Sequence, residues 1–216
     1  MFLDAHARDR IGAAALIAWN FIALIGLAIE FSRALPNAGH ASSLLRCLSL
    51  GATAAYLVLQ TYFLAVRPSP IGRAEGIVPR ASALLGAYLP AALTLLPTVS
   101  SNKLQLASAL ITTLGTAGAF YALFHLGAAF SLFPQARRLV LTGPYRFIRH
   151  PLYLFGELGL IGMSLAYAQP WALLIAALSF FAQFPRMRYE EKVLTAAFSG
   201  YSPYAARTSR LIPGIY

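Results

Sequence analysis

Polar and apolar positions segregate along this chain by whole segments rather than by single residues. A helix that crosses a bilayer needs about 20 mostly apolar residues. Six stretches approach that length: 11–31, 44–66, 81–99, 104–130, 152–168 and 171–184. The third contains Pro90 and Pro97, and the sixth is short and is expected to end at Pro185. Asn37-Ala38-Gly39 and Ser100-Ser101-Asn102 have the composition of tight turns. The pattern therefore predicts an all-α, polytopic membrane helix bundle of about six spans. Spans three and four are expected to form one helical hairpin, and spans five and six another that turns at Gln169-Pro170. No strands are expected.

Composition agrees with this pattern. The 216 residues are 58% hydrophobic and 11% charged, against about 25% charged in soluble domains, and mean hydropathy is +0.64. Too few charges remain to coat a water-facing surface. One cysteine, Cys47, excludes an intramolecular disulfide and a cysteine-built metal site. The apolar run after residue 10 is longer than a signal-peptide core and reads as a retained first span.

A net charge of +10 raises the possibility of nucleic acid, but the basic residues lie between apolar spans, where they orient helices. With an even number of spans and the N-terminus in the cytosol, Arg33, Arg46 and Lys103 face outward and the other Lys and Arg face the cytosol. Positive residues favour the cytosolic side, so both termini are expected there. Rich usage of Ala and Arg suggests a bacterial inner-membrane protein. Membrane lipids and a lipophilic substrate are the expected partners, without nucleic acid.

Two cytosolic segments hold most of the candidate chemistry. QARRLVLTGPYRFIRHPLY covers residues 135–153, and a polar segment opening PRMRYEEKVL begins at residue 185. They flank the last hairpin, so topology alone brings Arg149, His150 and Tyr153 toward Arg186, Glu190 and Glu191. Read as a helix continuing past Pro185, the second segment places Arg186 and Glu190 on one face. That pair fits a surface salt bridge or a polar clamp at the lipid boundary equally well. Arg149 and His150 fit headgroup anchors, Tyr153 fits an interfacial belt, and Gly143 permits close backbone approach to a ligand. His125 reads as a packed residue. Glu30 and Arg46 read as a pair or as snorkelling side chains. Glu157 is a carboxyl within a span, which marks a functional candidate. No metal site is expected.

Taken together, LVLTGPYRFIRHPLYL, a short hydrophobic hairpin, RMRYEEKVL and FSGYSPYAARTSRLIPGI resemble the isoprenylcysteine carboxyl methyltransferase family and its phospholipid N-methyltransferase relatives. The residues that carry the resemblance are Gly143, Tyr145, Arg149, His150, Pro151 and Tyr153; Arg186, Glu190, Glu191 and Leu194; and Tyr201, Tyr204, Arg210 and Pro213. The resemblance covers roughly residues 126–215. It implies an S-adenosyl-L-methionine-dependent methyltransferase whose cofactor lies in a cytosol-side pocket closed by the C-terminal segment, with a lipophilic substrate entering from the bilayer. By position, Leu139, Val140 and Tyr145 wrap the adenosine, and Arg149, His150, Pro151, Leu152, Tyr153 and Glu191 complete the pocket. Glu190 takes the cofactor ammonium, and Arg186 holds the polar end of the substrate; these two form the expected catalytic pair. Residues 1–130 then serve substrate access, and 131–216 form the methyltransferase region. The stretch between Phe130 and Leu139 is short for this pattern. A membrane reductase using a nicotinamide cofactor and a non-enzymatic scaffold are the competing readings, and the methyl acceptor, a carboxylate or a lipid amine, stays open.

Overall fold

The computed structural model describes residues 5–37, 41–167 and 169–215. Seven α-helices organise it: α1 (Ala5–Ala34), α2 (Ala41–Val66), α3 (Ile77–Tyr88), α4 (Asn102–Leu126), α5 (Pro151–Ser164), α6 (Trp171–Ala197) and α7 (Tyr201–Ala205). Two strands of two residues, β1 (Gly72–Arg73) and β2 (Gln135–Ala136), pair antiparallel with Gly72 opposite Ala136. This small ladder departs from the expected absence of strands, and it ties the loop after α2 to the loop before the candidate site. The Asn37–Gly39 turn lies mostly outside the described residues; Leu35–Asn37 forms a 3-10 turn. At the second expected turn the Ser101 hydroxyl caps α4, accepting from the Leu104 amide at 3.5 Å.

Among the described residues, four helical stretches are long and apolar enough to cross a membrane: Asp9–Ala34, Ser42–Val66, Ile77–Leu95 and Asn102–Ala129. Apolar side chains such as Phe21, Ile22, Tyr62, Leu114 and Phe124 stand exposed on them, as lipid-facing residues do. Six spans were expected. α5 has 14 residues, about 21 Å of helix, which is short of a hydrocarbon core of about 30 Å. α6 has 27 residues and is apolar only over its first half. It does not stop at Pro185 but runs through it, so the apolar and polar halves form one rod.

Prolines do reshape the third span. Pro90 has no N–H to offer the carbonyl four residues earlier. The α-helix accordingly ends at Tyr88 and continues as a 3-10 helix, Leu89–Leu95, with Pro90 in its first turn. The carbonyl released is that of Gly86, and α6 satisfies it: Ser179 Oγ donates at 3.3 Å and Gln183 Nε2 at 3.5 Å. α3 packs chiefly on α6, whereas α4 packs on α5 and α2. The expected hairpin of spans three and four is thus replaced by pairing with later helices. The reason lies in glycine. A Cβ on Gly115 would stand 2.2 Å from the Gly159 nitrogen, and one on Gly162 would stand 2.4 Å from the Thr112 nitrogen. Only hydrogen at these positions lets the α4 and α5 backbones touch.

A buried ionic knot closes the pole that carries the strands. Asp9 accepts from Arg67 Nη2 at 2.9 Å and from Arg137 Nη2 at 2.7 Å. Arg137 also reaches Ser131 Oγ at 2.8 Å and the Pro68 carbonyl. These contacts lock α1, the end of α2 and the 131–137 loop together. Of the two readings of Glu30 and Arg46, the pair is the one found, at 2.5 Å.

Candidate active site

The site starts with a proline. Pro151 occupies the first turn of α5, where its missing N–H costs nothing, and His150 precedes it in a non-helical conformation. The backbone just before α5 lies along the C-terminal tail: Arg149 N–H donates to the Ser209 carbonyl at 2.8 Å and His150 N–H to that of Arg210 at 3.0 Å. The tail therefore lies as a strap across the start of α5.

Glu191 pins this strap. Its carboxylate accepts from Arg149 Nε at 2.9 Å and from Arg210 Nε at 3.0 Å, and it lies 3.2 Å from His150 Nε2. Arg149 in addition donates to the carbonyls of Ala205 (2.6 Å) and Thr208. Burial alone would raise the Glu191 carboxyl. The hydrogen bonds from His150 and Arg210, the His150 charge and Arg149 outweigh it and hold the group down at about 2.

Glu190, one residue earlier, faces elsewhere. Tyr153 OH donates to it, Arg186 Nε lies 3.4 Å from Oε1, and Oε2 stands 3.9 Å from His150 Nδ1. The Arg186 guanidinium lies 5.0 Å from the centroid of the Tyr153 ring and donates to the Ser131 carbonyl at 3.3 Å. The two adjacent glutamates thus have different work, as their divergence around a helix suggests.

A cavity of about 420 Å³ opens on this cluster, within the range of about 300–1,000 Å³ of cofactor pockets. Of the sequence-derived site residues, Leu139, Val140, Tyr145, Arg149, His150, Leu152, Tyr153, Arg186 and Glu190 line it; Pro151 and Glu191 do not, being spent on the helix start and the strap. The cavity does not stop at the polar pole. It continues past Thr116, Glu157 and Gln183 to Asn20 and Gln60, so the first two helices contribute to it as well. Gly143 has φ +59°, and its open face meets the His125 ring, not a ligand: a Cβ there would stand 2.4 Å from that ring. His125 is accordingly a packing residue.

Two tyrosine hydroxyls at this pole are buried without a hydrogen-bond partner, those of Tyr145 and Tyr201, and both residues line the cavity. Burial first, then the nearby charge of Glu190 for Tyr145 and of Glu191 for Tyr201, pushes both phenols up, so both remain O–H donors. Tyr204 donates to the Tyr145 carbonyl at 2.7 Å and holds that segment against α7. Tyr201 as a cavity residue escaped the sequence reading, although the spaced tyrosines of the closing motif were a signal for it. The Asp9–Arg67–Arg137 knot escaped as well, because its partners lie far apart in the chain.

Known proteins resemble this region. Residues 101–200 match the phospholipid methyltransferase family. This is a family of integral membrane methyltransferases, and the match spans α4, the β2 loop, α5 and α6, the elements that build the polar end of the cavity. The cobalt-zinc-cadmium resistance protein CzcN of Cupriavidus metallidurans is 36% identical over 76 residues, 35% of each chain. The nickel-cobalt-cadmium resistance protein NccN of Alcaligenes xylosoxydans xylosoxydans is 34% identical over 80 residues, 37% of this chain and 38% of that one. The chain thus spans little more than a third of the length of these curated relatives. The phospholipid methyltransferase match agrees with the resemblance carried by the Arg149-His150-Pro151 and Glu190-Glu191 motifs, and the apolar helices make the chain an integral membrane protein.

Proposed function

We propose that the chain is an S-adenosyl-L-methionine-dependent methyltransferase of the inner membrane, with both termini in the cytosol, acting on a lipophilic acceptor. The observation that carries this reading is the continuity of the cavity. A polar end with a carboxylate and unpartnered phenols opens into a channel between apolar helices.

The residues present fit the cofactor's chemistry. Glu190 offers a carboxylate to its ammonium, and Leu139, Val140 and Leu194 offer apolar surface to its base. The unpaired hydroxyls of Tyr145 and Tyr201 offer donors to its polar atoms. When bound, this cofactor supplies the methyl group as an activated sulfonium, and the protein supplies position and electrostatics. Tyr153 and Arg186 fix the Glu190 carboxylate. Arg149, Glu191 and Arg210 hold the strap that covers the pocket and excludes water. Arg186 lines the cavity where the methyl-donor end meets the acceptor channel. Residues 1–130 admit the acceptor, and residues 131–216 bind the methyl donor.

The two relatives are named for resistance to metals. Among the described residues no group of three or more His, Cys, Asp and Glu side chains is arranged to hold a metal ion. On the strength of the cavity, we read this chain's part as chemistry on a membrane-borne acceptor. Thermal shift of the purified protein tests the reading: stabilisation by S-adenosylmethionine and none by NADPH is expected. Stabilisation by NADPH alone would turn the reading toward a nicotinamide-dependent reductase.

A further inference from the structure

One helical turn below Tyr153 and Arg186, about 5 Å deeper along the helices, the same cavity carries a second polar layer. Glu157 on α5 and Gln183 on α6 face each other there, with Gln183 Nε2 donating to Glu157 Oε1 at 3.1 Å. Both are buried, at 8% and 6% exposure, and both line the cavity. The Gln183 amide has its direction dictated by its neighbours. Glu157 and the Gly86 carbonyl released by Pro90 are both acceptors, so the NH2 turns to them. The Gln183 Oε1 atom is then left buried without a partner, which is costly unless a ligand supplies a donor.

We propose that Glu157 and Gln183 form the recognition site for the reacting head group of the methyl acceptor, and that this head group is a hydrogen-bond donor, an amine or a hydroxyl, and not a carboxylate. The proposal rests on the methyltransferase reading for the reaction, while its binding claim stands on the site alone. Both atoms on offer are acceptors: the Glu157 carboxylate and the orphaned Gln183 oxygen. An N–H or O–H head satisfies them, whereas a carboxylate would bring only further lone pairs against two buried acceptors. Arg186, the next cavity-lining cation along α6, already has Glu190 at 3.4 Å. The layer lies immediately beneath the Tyr153–Glu190 pair, so an alkyl chain among the apolar helices presents its head to the methyl-donor pocket. The acceptor's lone pair takes the methyl group, the electron pair of the broken carbon–sulfur bond stays with the departing donor, and the proton that the acceptor sheds passes to the Glu157 carboxylate.

The test is equilibrium binding of radiolabelled dodecylamine, dodecanol and dodecanoic acid to the detergent-solubilised full chain, without methyl donor. The amine or the alcohol is expected to bind best, and the better of the two identifies the head. Glu157→Gln should weaken that ligand by about tenfold or more, the loss of a hydrogen bond to a charged group, and leave the acid unchanged or improved. Glu157→Asp should restore part of the loss. Gln183→Leu provides an independent arm if the Glu157 variants do not purify as monodisperse protein, and it should also weaken the donor ligand. Tightest binding of the acid to wild type, or donor binding indifferent to both positions, overturns the proposal. If that happens while S-adenosylhomocysteine still binds, the methyltransferase reading stands without this site. If the donor preference holds and S-adenosylhomocysteine does not bind, the site stands and that reading falls.

Discussion

At the residue scale, the adjacent glutamates divide the site between them. Glu190 faces the cavity, and Glu191 is consumed in holding Arg149, His150 and Arg210. Removing Glu191 leaves two guanidinium groups without their anion, so Glu191→Ala should cost about 3 kcal/mol, the low end for a broken buried pair, because Arg210 is 26% exposed. A lowered thermal midpoint in detergent checks this. The pH dependence has a definite sign. The folded Glu191 carboxyl is held at about 2, below its ordinary 4.5. Its contribution to stability is therefore complete above pH 4.5 and is lost as pH falls toward 2. Thermal midpoints of wild type should drop through that window more steeply than those of Glu191→Gln. Most of these residues were legible in the sequence, because Arg149-His150-Pro151 and Arg186-Glu190-Glu191 are compact motifs. Their roles were less so. Whether a carboxylate faces a cavity or a strap depends on the rotation of α6 and the path of the tail, and neither is a local property.

At the scale of elements, glycine decides which helices meet. Long apolar runs reveal that helices exist, since the length of the run is the signal. They do not reveal partners, because in lipid all apolar faces are equally content and close packing of small residues makes the choice. The spacing of Gly115, Gly118, Gly159 and Gly162 was the readable sign that α4 pairs with α5, and the short loop between spans three and four pointed elsewhere. Gly115→Ala places a methyl 2.2 Å from the Gly159 backbone. It should cost about 1–3 kcal/mol by overpacking, seen as a lower thermal midpoint and loss of monodispersity in detergent. Gly51→Ala on α2 has open space around it and should be neutral or slightly stabilising. Proline reads differently in its two settings. Pro90 converts α3 to a 3-10 helix, and α6 passes through Pro185 unbroken. Local sequence marks both as breakers, and only the neighbouring helix determines the outcome.

At the scale of the whole molecule, the chain is a membrane bundle whose polar pole is built largely from the segment that matches the phospholipid methyltransferase family and whose cavity runs down among the apolar helices. From the charge asymmetry we propose that both termini lie in the cytosol. A C-terminal fluorescent-protein fusion should therefore fluoresce in bacterial cells, and a C-terminal alkaline phosphatase fusion should be inactive; the reverse pattern would invert the orientation. The count of spans was the least legible feature of the fold, because α5 and the apolar half of α6 are too short to cross by themselves. The central claim is that the polar end of the cavity binds a methyl-donating nucleoside through Glu190. Isothermal titration of S-adenosylhomocysteine into the purified full chain measures this most directly. Wild type should show one site per chain and Glu190→Ala no detectable binding; folded wild-type protein giving no signal, or Glu190→Ala binding as wild type does, would contradict that claim.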